Sequence, residues 1–313
     1  MLRKRKKAGH VWDARVLVPA INVIVRKNNI EVDLSTHLKY CVGMEFYYNT
    51  IIGRILLNIM LNTGVLRLAE KYVKSSKSRW MIDRFIKKNN IDMSQYKDVE
   101  YDSYAAFFIR EKQHLSFAEE KDAFISPCDS LLSMVEIKDG NTFSVKGIDY
   151  TLAELIPNEK LISKYEDGLC LIFRLQASDY HHFCYVDDGV ESGATLIPGK
   201  LHSVQPIALQ KEPVFRVNKR YYHEIDTENF GKLLQIEVGA VLVGGVHYEI
   251  TQGEVKKGQE AGRFELCGST IMVLLTKETK NQITWNKKIL EAVSEDIEVQ
   301  VEYGQKIGRR TKI

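Results

Sequence analysis

Residues 258–275 read Gly-Gln-Glu-Ala-Gly-Arg-Phe-Glu-Leu-Cys-Gly-Ser-Thr-Ile-Met-Val-Leu-Leu. The last five, Ile271 to Leu275, form an unbroken apolar run of strand length, and Gly258, Gly262 and Gly268 punctuate the approach to it. A short apolar run bounded by turn residues predicts a buried strand. Runs of the same kind occur at Leu131 to Ile137, Cys170 to Leu175, Gly193 to Ile197, Leu233 to Val246 and Phe264 to Leu266. Five of the six prolines fall between Pro127 and Pro213, in the turns between these runs. This spacing predicts a mainly antiparallel β domain over residues 116–313.

Residues 1–115 have a different texture. Ile52, Ile55, Leu56, Ile59 and Met60 recur at helical spacing, with Arg54, Asn58 and Asn62 as a polar stripe and Gly64 as an interruption before Val65, Leu66, Leu68 and Ala69. A second helical stretch surrounds Trp80, Ile82, Phe85 and Ile86, and a short one covers Tyr104 to Ile109. The apolar stretch is too broken for a membrane span. Two readings stay open: an interfacial helix with Arg67, Lys71, Lys74 and Lys77 beside it, or an ordinary helix packed on the core. Upstream, Val16 to Val18 and Ile21 to Val25 are short β-like runs.

The composition excludes several classes. An apolar share of 44% and a charged share of 27% over 313 residues exclude a disordered chain, a collagen and a many-span membrane protein. The net charge of +3 hides a split. Residues 1–120 hold 21 Lys and Arg against 13 Asp and Glu, or +8, and the remainder holds 23 against 28, or −5. A basic N-terminal third suits an anionic partner. The five cysteines, at 41, 128, 170, 184 and 267, are odd in number and lack a CxxC pair, which argues against a disulfide framework or zinc site and for a reducing compartment. The basic start leads into Ala8, Gly9 and His10 and not into a compact apolar stretch, so no secretory signal is expected.

Three segments offer chemistry. Ser269 heads the apolar run and follows Gly268, so its hydroxyl can approach the Gly268 carbonyl carbon with no side chain in the way; a plain Gly-Ser turn is the alternative. The GxSxG elbow of hydrolases is excluded by Ile271. His181 and His182 lack the spacing of a metal site, and in an extended segment they point to opposite faces. Ser126-Pro127-Cys128-Asp129-Ser130 places an acid in a proline turn. Neither a dinucleotide nor a P-loop glycine motif is present.

Taken together, the sequence resembles the phosphatidylserine decarboxylase family from about Tyr47 to Gly308. The resemblance is carried by Gly53-Arg54, Ile91-Asp92-Met93, Phe107-Phe108-Ile109-Arg110, Ile125-Ser126-Pro127 with Asp129, Val145-Lys146-Gly147 with Tyr150 and Leu152, and Asp179-Tyr180-His181. It continues through Asn229-Phe230-Gly231, Glu237-Val238-Gly239-Ala240, Val243-Gly244, Lys257-Gly258, Glu260, Gly262, Phe264 and Gly268-Ser269-Thr270.

The resemblance implies an α+β fold, with a mainly antiparallel β catalytic core preceded by an N-terminal helical membrane-associating region. It implies a proenzyme that cuts itself between Gly268 and Ser269 into a large chain, 1–268, and a small chain, 269–313, which stay together as a heterodimer. Ser269 becomes a covalent pyruvoyl group, which forms a Schiff base with phosphatidylserine and releases CO₂ to leave phosphatidylethanolamine; no metal or nucleotide takes part. His181 is expected to be the base, held in its tautomer by Asp129, with His182, Cys184 and Thr270 as auxiliaries. The expected setting is peripheral, on the anionic cytoplasmic face of the cell membrane, with no nucleic-acid partner. His223, His247 and Lys146 are possible headgroup contacts.

This sequence departs from the family pattern where a second histidine commonly follows the first by three residues. Cys184 stands there, and either His182 or a Cys184 thiolate could serve instead. Asp129-Ser130 replaces the usual Asp-Gly, and Lys112 to Phe117 replace an Arg-Pro element. The alternatives are a pyruvoyl-dependent decarboxylase of a free amino acid and a non-processing binding protein on the same scaffold.

Overall fold

A computed structural model describes residues 44–138, 140–241, 245–266 and 268–311. The β-like runs expected at residues 16–25 lie outside them, as do Cys41 and Cys267.

The chain enters through helices. Residues 44–49 are helical, and Thr50 then caps the helix Ile51–Asn62 by accepting the Gly53 amide at 2.9 Å. Gly53 is required for steric reasons: a Cβ there would come within 1.9 Å of the Phe46 carbonyl oxygen. The helix Val65–Val73 follows at a 72° bend, and no single helix among the described residues is long and apolar enough to cross a membrane. Trp80–Asn89 ends at Asn90, which takes the left-handed conformation (φ 50°) common at helix ends. Ser103 caps the short helix Tyr104–Phe108.

These helices bury one side and leave the other bare. Gly53 and Leu57 are the buried positions of the first helix, while Ile51, Ile52, Ile55, Leu56 and Ile59 are exposed, Ile51 at 81%. Val65, Leu68 and Trp80 extend the apolar surface. The inner side, Val73, Ile82, Phe85, Tyr104, Phe107 and Phe108, packs on Leu266, with Ala177 alongside.

The remaining chain is built on one large antiparallel sheet. Its strands run in the spatial order Gly253–Val255, Gly189–Glu191, Arg220–Thr227, Gly231–Val238, Ser269–Leu275, Leu169–Leu175, Ser130–Glu136, Val299–Val301, and Thr195–Ile197 also pairs with Arg220–Thr227. Ser269–Leu275 and Leu169–Leu175 are buried along their whole length, which is why they read as continuous apolar runs and not as alternation. Alternate side chains of each strand enter two different cores. Ile271, Val273 and Leu275 join Phe173, Leu171 and Tyr180 on one face, and Met272 and Leu274 join Ile172, Leu234 and Ile236 on the other.

Two smaller three-stranded sheets flank it: Ala123–Ile125 with Lys306–Arg310 and Ile283–Trp285, and Val246–Tyr248 with Glu260–Phe264 and His182–Cys184. The run expected at Leu233 to Val246 therefore splits, because Val238 ends one strand and Val246 starts another in a different sheet. The run expected at Phe264 to Leu266 ends at Phe264, and the strand extends back to Glu260.

A charged cluster is sealed inside this fold. His223 Nδ1 lies 3.1 Å from Glu191 Oε1, and its Nε2 lies 2.9 Å from Glu237 Oε1. Tyr248 donates to Glu237 at 2.8 Å, Gln235 donates to it at 2.7 Å, and Tyr185 donates to Glu191. Burial opposes a charge on His223, but Glu237 and Glu191 outweigh it and push its pKa up to about 10. Removing one partner of a buried charge set strands the others, at about 3–5 kcal/mol. His223→Ala is therefore expected to lower unfolding stability by about that amount in denaturant titrations. An elevated histidine pKa stabilises below its unfolded value, and the contribution is lost as pH rises through about 10. The wild type is expected to lose stability over that alkaline range, and His223→Gln to lose this pH dependence.

Candidate active site

Ser269 opens the central strand and pairs with Leu175. The Ser130–Glu136 strand lies on the other side of Leu169–Leu175, with Leu131 opposite Arg174. Residues 129, 176 and 268 thus gather at one end of three adjacent strands. Ser269 is 1% exposed, and neither its Oγ nor Thr270 Oγ1 has a hydrogen-bond partner among the described residues. A buried hydroxyl in that state is destabilised by about 1–3 kcal/mol. The Gly268–Ser269 bond sits just outside the ladder, and a Cβ on Gly268 would lie 3.2 Å from the Leu175 carbonyl oxygen and 3.5 Å from Val204 Cγ2.

His181 is tied to the same strand end. Its Nε2 lies 3.0 Å from the carbonyl oxygen of Gln176, the residue after Leu175. Only an N–H can bond a carbonyl, so Nε2 carries the proton and Nδ1 carries the lone pair. Nδ1 is buried and without a partner. The ring lies 4.1 Å from that of Phe108, centroid to centroid. Burial first, and the Arg110 charge second, hold the His181 pKa down at about 3, so the ring is neutral at physiological pH. Asp179 Oδ2 accepts the Gln176 amide at 2.8 Å and closes the turn from the other side, and burial pushes its pKa up to about 7.

The expected Asp129–His181 hydrogen bond is not among the contacts of either residue. Asp129 Oδ2 accepts from Lys112 Nζ at 2.6 Å, and Oδ1 accepts the Tyr303 amide at 2.7 Å. The tautomer of His181 is set by the Gln176 carbonyl instead. The residue lying on the Ser126–Asp129 turn is Cys184, whose amide donates to the Pro127 carbonyl at 2.8 Å and whose Sγ lies 3.9 Å from the Ser126 carbonyl oxygen. Burial pushes the Cys184 thiol up to about 12, which removes it as a thiolate base at neutral pH.

His182 is turned away, as the alternation of an extended segment requires. Its Nδ1 lies 2.6 Å from Glu260 Oε1 and its Nε2 3.2 Å from the Ile109 carbonyl oxygen, and it stacks on Tyr180. Both nitrogens are occupied, so it does not stand in for a missing histidine at Ser269. Of the three possible headgroup contacts, His223 is sealed among carboxylates. His247 is half-exposed beside Glu249 at 3.4 Å, and Lys146 lies 3.7 Å from Asp296. Sequence reasoning assigned no role to Lys112, Gln176, Tyr303 or Arg110. The one available signal was an arginine closing the apolar Phe107-Phe108-Ile109 run.

Comparison with known proteins gives concordant results. The family model described as phosphatidylserine decarboxylase matches residues 104–309. The chain is 40% identical over 268 residues to phosphatidylserine decarboxylase proenzyme 2 of Clostridium acetobutylicum, covering 85% of this chain and 91% of the relative. It is 35% identical over 275 residues to the phosphatidylserine decarboxylase proenzyme of Clostridium novyi, covering 85% and 92%. It is also 35% identical over 290 residues to that of Clostridium perfringens, covering 90% and 96%.

A thiol held protonated in the core makes a specific prediction. Cys184 is expected to resist alkylation in the native protein at pH 8, and Cys184→Ala to keep the chemistry of the Ser269 site within a few-fold. Rapid labelling, or loss of that chemistry in a folded Cys184→Ala, counts against this reading.

Proposed function

The chain belongs to the phosphatidylserine decarboxylase family, and on that footing we propose that it is a self-processing carboxy-lyase converting phosphatidylserine to phosphatidylethanolamine. The observation that carries this reading is that two buried atoms without partners among the described residues belong to residues tied to one strand end: the Ser269 hydroxyl and the Nδ1 lone pair of a neutral His181.

A serine hydroxyl is a weak nucleophile and needs a base. In the proposed reaction His181 Nδ1 takes the Ser269 proton as Oγ attacks the Gly268 carbonyl, and an N→O shift converts the amide into an ester. Removal of the Ser269 Cα proton expels the Gly268 carboxylate and leaves dehydroalanine. Tautomerisation to the imine and addition of one water release ammonia and leave a pyruvoyl group at the head of residues 269–313, with no change in net oxidation state. The buried strand end fits that group: Ser269 Oγ and Thr270 Oγ1 have no partner among the described residues, and Gly268 has no side chain to cover its carbonyl. Once formed, the ketone supplies the electron sink that takes up the pair released with CO₂. His181 Nδ1, which carries no proton in the resting site, would take the proton that the substrate's ammonium group loses and return it to the substrate carbon. Asp129 acts at one remove, by fixing the Lys112 side chain and the Tyr303 amide around the Ser126–Ser130 turn.

Residues 1–115 serve as the membrane-associating region and 116–313 as the catalytic domain. The exposed apolar face of Ile51–Asn62 and Val65–Val73, with Arg67, Lys71, Lys74 and Lys77 beside it, suits peripheral attachment to an anionic bilayer on the cytoplasmic face of the cell membrane. The end of the second helix, Val73, packs in the same cluster as Leu266, two residues before Gly268, and Lys74 reaches Glu265 at 3.3 Å, whereas the first helix packs through Leu57 in a separate core.

Intact mass and denaturing electrophoresis test this directly. The wild type is expected as two chains, the small one blocked at its N-terminus, and Ser269→Ala as one uncut, inactive chain. Asp129→Asn is expected to slow the cut. An uncut wild type that still decarboxylates the lipid overturns the proposal. In a separate measurement, Ile55→Asp with Leu68→Asp is expected to abolish co-sedimentation with anionic phospholipid vesicles while leaving the cut unchanged.

A further inference from the structure

Arg110 is a buried cation to which no carboxylate among the described residues is bonded. It is 1% exposed, and its Nη2 donates to the carbonyls of Ser178 at 2.7 Å and Asp179 at 3.3 Å and lies 3.4 Å from the Tyr96 hydroxyl. Its Nε and Nη1 have no partner among the described residues. The guanidinium carbon sits 4.5 Å over the Tyr96 ring and 4.9 Å over the Phe107 ring. A guanidinium removed from water without a carboxylate is destabilised by several kcal/mol, and aromatic faces return only about 2 kcal/mol. An unsatisfied charge of that kind calls for a functional reason.

Its surroundings supply one. The two carbonyls that it grips belong to the residues just before Tyr180 and His181. The ring beneath it, Phe107, neighbours Phe108, whose ring packs on His181. One side chain therefore anchors the short segment between Gln176, where His181 Nε2 is tethered, and His181 itself.

We propose that Arg110 is the positioning residue of the Ser269 site: it clamps the Ser178–Asp179 backbone so that His181 stays on the Gln176 carbonyl with Nδ1 free, and its charge disfavours a second cation on the His181 ring. The inference rests on the proposed role of His181 and assigns its control to a residue whose hydrogen bonds and ring contacts among the described residues do not include Ser269. The charged and titratable groups around His181 are few. Arg110 approaches from the helical side, and Asp179 and His182 lie on its own segment, with Ser269 at the neighbouring strand end. Burial and Arg110 both lower the His181 pKa, His182 adds to them, and the Gln176 carbonyl opposes them.

Two variants separate the two parts of the role. Arg110→Gln removes the charge, and Arg110→Lys keeps the charge but loses the planar fork. The ring titration of His181 is read by NMR in an uncut Ser269→Ala background. Arg110→Gln is expected to move the midpoint up by about one unit or more, and Arg110→Lys to leave it within about half a unit of the parent. In the Ser269 protein, Arg110→Lys is expected to slow self-cleavage about tenfold or more without changing its pH profile. Arg110→Gln is expected to shift the acid limb of that profile upward by the same increment as the NMR midpoint.

A His181 midpoint that does not move in Arg110→Gln overturns the electrostatic part, and wild-type cleavage in a folded Arg110→Lys overturns the clamp. Should Arg110→Gln fail to fold, the cleavage rate of Arg110→Lys still decides the clamp, and the His181 midpoint in Arg110→Met, which also removes the charge, decides the electrostatic part. Wild-type protein that never cleaves defeats the proposed function instead, and the NMR titration distinguishes that case because it needs no cleavage.

Discussion

Everything at the site depends on the register of one strand. Ser269–Leu275 is hydrogen-bonded along its length to Leu169–Leu175 on one side and to Gly231–Val238 on the other. Both of its faces are covered by apolar cores, so it has little freedom to slide: a one-residue slip would exchange Ile271 and Val273 with Met272 and Leu274 between two differently shaped cores. The pairing of Ser269 with Leu175 fixes the scissile bond beside Gln176, and through the Gln176 carbonyl it fixes His181. His181 and the adjacent Gly268–Ser269 pair lie far apart in sequence, and this ladder brings them together.

The site is also defined by what burial does to charge. Neutral His181, the protonated thiol of Cys184 and the raised Asp179 carboxyl all reflect the same loss of water. Where this fold keeps charges inside, it treats them in two ways. His223 has a carboxylate beside each ring nitrogen, and tyrosine hydroxyls donate to those carboxylates in turn. Arg110 receives carbonyls and aromatic faces, and no carboxylate among the described residues bonds to it. The first arrangement holds strands together. The second leaves a field directed at its neighbours, and the neighbour that matters here is His181.

The sequence made much of the scaffold legible. Continuous apolar runs such as Cys170 to Leu175 and Ile271 to Leu275 reported strands covered on both faces, and the opposed directions of His181 and His182 followed from extended backbone alone. The helical spacing of Ile52, Ile55, Leu56 and Ile59 was read correctly as a helix, but which side of it faces the core depends on packing partners distant in sequence. The Asp129–His181 bond was expected on triad logic and is absent, because both residues are engaged elsewhere: Asp129 by Lys112 and the Tyr303 amide, His181 by a main-chain carbonyl. Side-chain-to-backbone bonds of this kind leave no mark in residue type. The isolation of Arg110 is equally invisible in sequence, since it consists of partners that are not there.

The central position of the Ser269 strand also determines what the protein becomes after its proposed cut. Both neighbours of that strand belong to the longer piece, and the short piece also pairs Val299–Val301 with Ser130–Glu136 and Lys306–Arg310 with Ala123–Ile125, so it remains held by four ladders, with its first strand as an intercalated slat. Unfolding then turns from a one-body into a two-body event, and its reversal depends on concentration. The serine needed to start the reaction has been consumed, so no fresh precursor can be regenerated from separated pieces. Each molecule matures once, and its working lifetime is governed by how slowly that slat is released.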